Sequence, residues 1–217
     1  MTKIHKIYLT MQIAIVGATG GLGKEIVRQS LLRGYAVTAA IRDTAKAETL
    51  FEGKAVRIAS VNLNSGAGLD EAFSGVNVVV EVISNDQRPS GVEKIVSACE
   101  RANVKTFVAC GGAGQLFQED GSRVVTMLEK MPDMGWARPI TDLHMRVQEL
   151  SFASSIPMVL QIAPPGMNDG EASGTVKPCK DKSAGVFSTS YQDVAFCLLE
   201  ALENPEFNRS MMGISPK

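Results

Sequence analysis

Apolar residues along this chain alternate between two rhythms. Residues 13–16, 35–41, 77–83, 106–110 and 158–162 form short apolar runs with little polar alternation, the pattern of strands covered on both faces. Residues 55–60 read as a further strand, third in chain order. Between these runs, residues 24–32, 89–103 and 191–203 repeat their apolar positions at helical spacing, as does a segment through Leu143, Val147 and Leu150. Residues 68–73 predict a short helix and 211–214 a last strand. Gly34 ends the first helix as a C-cap. Thr141 or Asp142 caps the helix carrying His144, Ser188 or Ser190 caps the last helix, and Pro205 stops it. Strands alternating with helices imply a parallel sheet with right-handed crossovers.

Two stretches break the rhythm. Residues 115–138 hold Pro132, Gly135 and the only tryptophan, Trp136; they read as a lid with a helix over 124–130. Residues 168–182 are polar and glycine-rich and read as a mobile loop on the substrate side. A short strand is expected to begin at Val186 and Phe187.

The first apolar run leads directly into Gly17-Ala18-Thr19-Gly20-Gly21-Leu22-Gly23 and then a helix. Glycine tolerates tight turns and lets an anion approach the backbone. The helix that follows offers unpaired N–H groups and the positive end of its dipole. In this strand–turn–helix context the spacing indicates a dinucleotide pyrophosphate. The fold class is therefore α/β, a single doubly wound parallel sheet of Rossmann type with helices on both faces and a small C-terminal cap. Residues 1–10 are read as an N-terminal extension, either a tail or a lengthened first strand, and 11–217 as the dinucleotide-binding domain.

Further chemistry is expected where strands end. Arg42 lies 19 positions beyond Gly23 with Lys46 a helical turn on. Two cations there suit a ribose 2′-phosphate, so NADP(H) is expected over NAD(H); Asp43 could instead hold a ribose hydroxyl. The alternative is an ordinary solvated pair. Asn62 could bond an adenine edge with Leu63 packed on its face, or simply make a turn. Ile83, Ser84 and the following residues to Arg88 end the fourth strand beside the cofactor. Glu81, the only charge in that run, reads as an ion pair or an exposed strand edge, with a functional buried carboxylate as the alternative. Cys110 and the Gly111-Gly112-Ala113-Gly114 cluster end the fifth strand, where glycines would let a flat ring approach the backbone; a plain loop is the alternative. Pro164 and Pro165 fix the exit of the sixth strand.

Composition narrows the classes. The chain has 217 residues and net charge −1, which gives no broad electrostatic case for nucleic acid or an anionic membrane. No stretch reaches the length of a membrane span, and the first ten residues lack the features of a signal peptide. Four cysteines without close-pair spacing point to reduced thiols and a cytoplasmic setting. With only His5 and His144, no histidine metal site is expected, and His144 reads as structural or surface rather than catalytic.

The ordered set resembles the NmrA-like group of atypical short-chain dehydrogenases, most closely the small NADPH-dependent flavin reductases of the biliverdin reductase B type. The resemblance rests on the 17–23 turn, on Ile41-Arg42-Asp43-Thr44-Ala45-Lys46, on Ala109-Cys110-Gly111-Gly112-Ala113-Gly114 and on Ala163-Pro164-Pro165-Gly166. It implies that Gly17, Thr19, Gly20, Gly21, Leu22, Gly23, Arg42, Lys46, Asn62, Leu63, Ile83, Ser84, Cys110, Pro164 and Pro165 bind the cofactor. This chain departs from the group at Asn62, where aspartate is usual, and at Gly112, where the biliverdin reductase B type has a serine. It also lacks the Tyr-x-x-x-Lys pair of ordinary short-chain dehydrogenases.

The expected activity is hydride transfer from NADPH to a planar conjugated acceptor such as a flavin or quinone. Cys110, Gly111 and Gly112 would form the floor, and residues 115–138 and 167–182 the walls. The partner is thus a small molecule, with the chain a monomer or small homo-oligomer. Two alternatives stand beside it: a non-catalytic NADP(H)-sensing protein, and a reductase or isomerase that tailors a specialised metabolite.

Overall fold

Ile13, Ala14, Ile15 and Val16 are all buried because the strand they form has a neighbour on each side and helices over each face. The computed structural model describes residues 11–84 and 88–217. Its elements are β1 (Gln12–Val16), α1 (Gly21–Leu32), β2 (Ala36–Ile41), α2 (Thr44–Leu50), β3 (Val56–Ser60), α3 (Leu69–Phe73), β4 (Val78–Glu81), α4 (Ser90–Arg101), β5 (Thr106–Cys110), α5 (Val124–Leu128), α6 (Ala137–Phe152), β6 (Met158–Ile162), β7 (Gly166–Asn168), β8 (Val176–Lys180), β9 (Ser188–Ser190), α7 (Tyr191–Leu202) and β10 (Ser210–Pro216).

The main sheet has eight strands in the order β3-β2-β1-β4-β5-β6-β10-β8. β1 pairs in parallel with β2 on one side, Ile13 opposite Val37, and with β4 on the other, Ile13 opposite Val78. Strand order reverses between β1 and β4, the switch point at which such sheets open a crevice beyond their carboxyl ends. Side chains alternate between faces with period two. Ile13 and Ile15 pack into a core with α1, α2 and α7; Ala14 and Val16 pack with α3, α4 and α6. The expected α/β doubly wound architecture is what the chain adopts.

Several expectations are corrected. The sheet is not wholly parallel, since β8 runs antiparallel to β10 at the edge. The polar stretch 168–182 therefore contains a strand, of which only Val176 is buried. Pro178 lacks a donor but is tolerated there, because an edge strand has one unpaired side. The strand expected at Val186 and Phe187 forms two residues later, as β9, and pairs with β7. α6 begins at Ala137, ahead of Thr141 and Asp142; Pro139 sits in its first turn, where an N–H has no partner to lose. Other signals act as anticipated. Gly34 takes a left-handed φ of +75° after α1, and the Ser190 hydroxyl accepts the Asp193 N–H at 3.0 Å to cap α7. The readings of residues 1–10 and of Asn85, Asp86 and Gln87 fall outside the described residues. No described helix is long and apolar enough to cross a membrane.

Candidate active site

The glycines of the first turn divide their work. Gly17 has φ +92°, and a Cβ on it would meet the Val82 carbonyl oxygen at 2.7 Å. A Cβ on Gly23 would lie 2.2 Å from the Gly17 carbonyl oxygen, so Gly23 is what lets α1 pack down on the turn. Gly21 lies beneath the ring of Tyr191, from the start of α7. Gly20 has the most space: a Cβ there would meet only the Gly17 carbonyl oxygen, at 3.4 Å. Gly20 is also the N-cap of α1, with no side-chain cap and no acidic residue in the first turn. An uncapped helix start beside open space suits an anion. Of the two roles expected for these glycines, tight turning and anion approach, Gly17 and Gly23 meet close backbone packing, and Gly20 keeps open space above it. Tyr191 was not anticipated, and nothing local in the sequence signals it.

Beyond β2, Asp43 is the N-cap of α2, its Oδ1 accepting the Lys46 N–H at 3.2 Å. That helix start commits one oxygen of the carboxylate that stood as the competing reading. Arg42 and Lys46 are both exposed. Asn62 Oδ1 accepts the N–H groups of Asn64 and Ser65 at 2.9 and 3.2 Å, the turn chemistry weighed for it. Leu63 is half-buried beside Gly91 of α4. Ile83 is buried and Ser84 exposed just past β4.

Glu81 proves to be a buried ion pair, not an exposed edge. Its Oε1 accepts Arg88 Nη2 at 2.8 Å, Arg88 Nε at 3.1 Å and the Ile83 N–H at 3.0 Å, while Oε2 accepts the Cys110 N–H at 3.0 Å. Arg88 Nη2 also donates to the Ile83 carbonyl at 2.7 Å. Burial works against the Arg88 charge, and Glu81 beside it outweighs that, so its pKa rises. The pair ties the carboxyl ends of β4 and β5 together.

Beyond β5 and β6 opens a cleft of about 1230 Å³. Gly111 and Gly112, two of the three residues expected to form the floor, line it, and so do Pro164 and Pro165. Cys110 does not; it is buried beneath, and burial pushes its thiol upward against the opposing pull of Arg88. The second glycine cluster makes room for side chains rather than for a ring alone. A Cβ on Gly111 would meet Gln115 Oε1 at 2.3 Å and Gln161 Nε2 at 2.8 Å. Those two glutamines are fully buried and form a ladder: Gln115 Oε1 accepts the Gly112 N–H at 3.3 Å, Gln115 Nε2 donates to Gln161 Oε1 at 2.9 Å, and Gln161 Nε2 donates to the His144 carbonyl at 3.0 Å. A Cβ on Gly112 would lie 3.0 Å from His144 Nδ1, and one on Gly114 would lie 2.3 Å from Thr141 Oγ1.

His144 thus faces the cleft, against the surface alternative. Burial, and then the Arg88 charge, lower its pKa to about 4, so the imidazole is neutral at pH 7. One wall comes from the expected 115–138 stretch, through Met127, Leu128 and Trp136. The other is 183–187, ending in Phe187, with Gly166 and Met167 beside it; of the expected 167–182 wall only Met167 contributes.

A sequence model described as NAD(P)H-binding matches residues 17–205. Photosystem II assembly factor Ycf39 of Trieres chinensis is 31% identical over 111 residues, 46% of this chain and 34% of that protein. The chain thus spans about a third of that relative's length. Among solved structures, the anaerobillin reductase ChuY of Escherichia coli O157:H7 superposes with TM-score 0.78 at 16% identity, covering 95% of this chain and 97% of that one. SP1627 of Streptococcus pneumoniae, provisionally named an NADH-flavin reductase, gives 0.74 at 21% identity, with 95% and 100% covered. At these identities the structural likeness shows the fold.

Proposed function

The chain belongs to the NAD(P)H-binding family, and from that premise we propose that it is an NADPH-dependent oxidoreductase passing hydride to a planar conjugated acceptor such as a flavin or quinone. The observation that carries this reading is the cleft: an apolar hollow of about 1230 Å³ set beyond β5 and β6, floored by Gly111 and Gly112 and flanked by Trp136 and Phe187. The names of ChuY and SP1627 lend support, one an anaerobillin reductase and the other provisionally an NADH-flavin reductase.

The residues present fit the cofactor. The uncapped start of α1 at Gly20 would hold the pyrophosphate, with the Thr19 to Gly23 backbone around it. Arg42 and Lys46, exposed at the end of β2, would pair a 2′-phosphate. Asn62 and Leu63 would border the adenine, and Ile83, Ser84, Pro164 and Pro165 would border the nicotinamide. Bound dihydronicotinamide supplies the hydride, and water the accompanying proton. The chain's task is to position the two rings and exclude solvent, a proximity contribution. His144 is neutral at pH 7 and brings no full positive charge to the acceptor.

Arg42→Ala tests the cofactor half. It should weaken NADPH by about 10- to 100-fold, the worth of a charge-assisted hydrogen bond, and leave NADH nearly unchanged; equal losses for both would contradict the role. For the acceptor half, the protein is assayed with NADPH against flavins, quinones and biliverdin. NADPH binding without turnover of any of them would overturn the reductase reading. That outcome would favour an NADP(H)-sensing protein, a reading supported by a floor whose one titrating side chain among the described residues, His144, does not charge near neutrality.

A further inference from the structure

The charged residues that line the described part of the cleft are Glu119 and Asp120, both acidic and both exposed. The floor, Gly111 and His144, is buried, so the two carboxylates belong to the mouth. Trp136 and Phe187 stand there as well, 55% and 68% exposed, on segments from opposite walls. Asp120 is held ionised: Oδ1 accepts the Ser122 hydroxyl at 2.7 Å and the Ser122 N–H at 2.9 Å, and these bonds lower its pKa. Arg123, Lys130 and Lys182, the last bridged to Phe117, do not line the cleft. Arg123 stacks on the Phe117 ring at 4.6 Å and donates to the Gln115 carbonyl. Lys130 acts on Asp120 only as a minor influence and does not line the hollow.

A planar acceptor seated on the glycine floor must direct its substituents outward, past this mouth. Like charges brought together between low-dielectric walls repel, and a site can discriminate by repulsion as well as by contact. We propose that the cleft selects uncharged planar acceptors, such as isoalloxazines without a phosphate and quinones without a carboxylate, and that Glu119 and Asp120 are the specificity-determining residues that turn anionic acceptors away. This rests on the reading of the cleft as the acceptor site. It also separates the chain from reductases of bilins, whose propionates would meet the same two carboxylates.

Trp136 is the only tryptophan in the chain and stands at the mouth, so its fluorescence reports occupancy. The test titrates the protein, saturated with NADP+, with riboflavin and with FMN, which share a ring and differ by a phosphate. Riboflavin should bind about 5- to 20-fold more tightly at low salt, and the gap should narrow as added salt screens the exposed charges. Glu119→Gln with Asp120→Asn should tighten FMN and leave riboflavin unchanged. Equal or tighter FMN binding by the unaltered protein, a gap indifferent to salt and to the double substitution, or no quenching by either flavin would each overturn the proposal. Oxidised cofactor allows no hydride transfer, so the result stands apart from the reductase reading. Selective riboflavin binding without turnover would sink only that reading. Turnover without discrimination would sink only this one.

Discussion

At the scale of single residues, the cleft is organised by pairs in which a glycine yields space to a distant side chain. A Cβ on Gly112 would come within 3.0 Å of His144 Nδ1, and one on Gly111 would come closer still to the glutamine ladder. His144 has a pH consequence of definite sign. Its pKa is about 4 in the folded chain against an ordinary 6.5, so between those values the unfolded chain binds more protons. Stability should be full above pH 6.5 and fall as pH drops toward 4, by about 3 kcal/mol at most from this group. Urea midpoints measured from pH 7 to pH 4.5 should fall less steeply in His144→Gln than in the parent. Parallel slopes would show that His144 does not titrate this way. The sequence did contain a signal for His144: Thr141, His144, Val147 and Ser151 form one buried stripe on α6, in which three polar members mark a face turned partly to something other than core. Their pairing with the glycines left no such trace, since Gln161, His144 and Thr141 lie 50, 32 and 27 residues beyond Gly111, Gly112 and Gly114.

At the scale of elements, the Glu81–Arg88 pair braces β4 to β5 through the N–H groups of Ile83 and Cys110. Removing one member of a buried pair strands the other's charge. Arg88→Met should therefore cost about 3–5 kcal/mol in urea unfolding, and Glu81→Leu combined with Arg88→Met should cost less than that single change. A double variant as unstable as the single one would mean that packing, and not charge, sets the loss. Such contrasts explain which elements could be read from sequence. β1, β4 and β5 are buried on both faces, so their apolar runs are legible, broken by a charge only at Glu81 of β4. β8 offers one buried residue, Val176, and a mid-strand proline, because its partner β10 covers it along one edge only; a polar edge strand looks like a loop. The 17–23 turn was legible as a motif, but its division of labour depended on Val82 and Tyr191, distant in sequence.

At the scale of the molecule, the two cores on either face of the sheet and the crevice at its carboxyl edge separate stability from chemistry. Hydrogen exchange should divide the same way. Amides of β1, β4 and β5 should exchange slowest, through global opening, and those of β8 and the small β7–β9 pair fastest. Early exchange in β4 would contradict a sheet whose centre is its most stable part. The register of β1 carries a further consequence, for synthesis. Its second neighbour, β4, lies 65 positions away, from Ile13 to Val78. A ribosome adding about 5–20 residues per second needs roughly 3–13 s to make that interval. Throughout it, one edge of an apolar strand stands bare on the nascent chain, and the Val78-Val79-Val80 run that covers it emerges just as adherent. The central pairing of the folded sheet is therefore also the one whose delay leaves an apolar strand edge open to other chains.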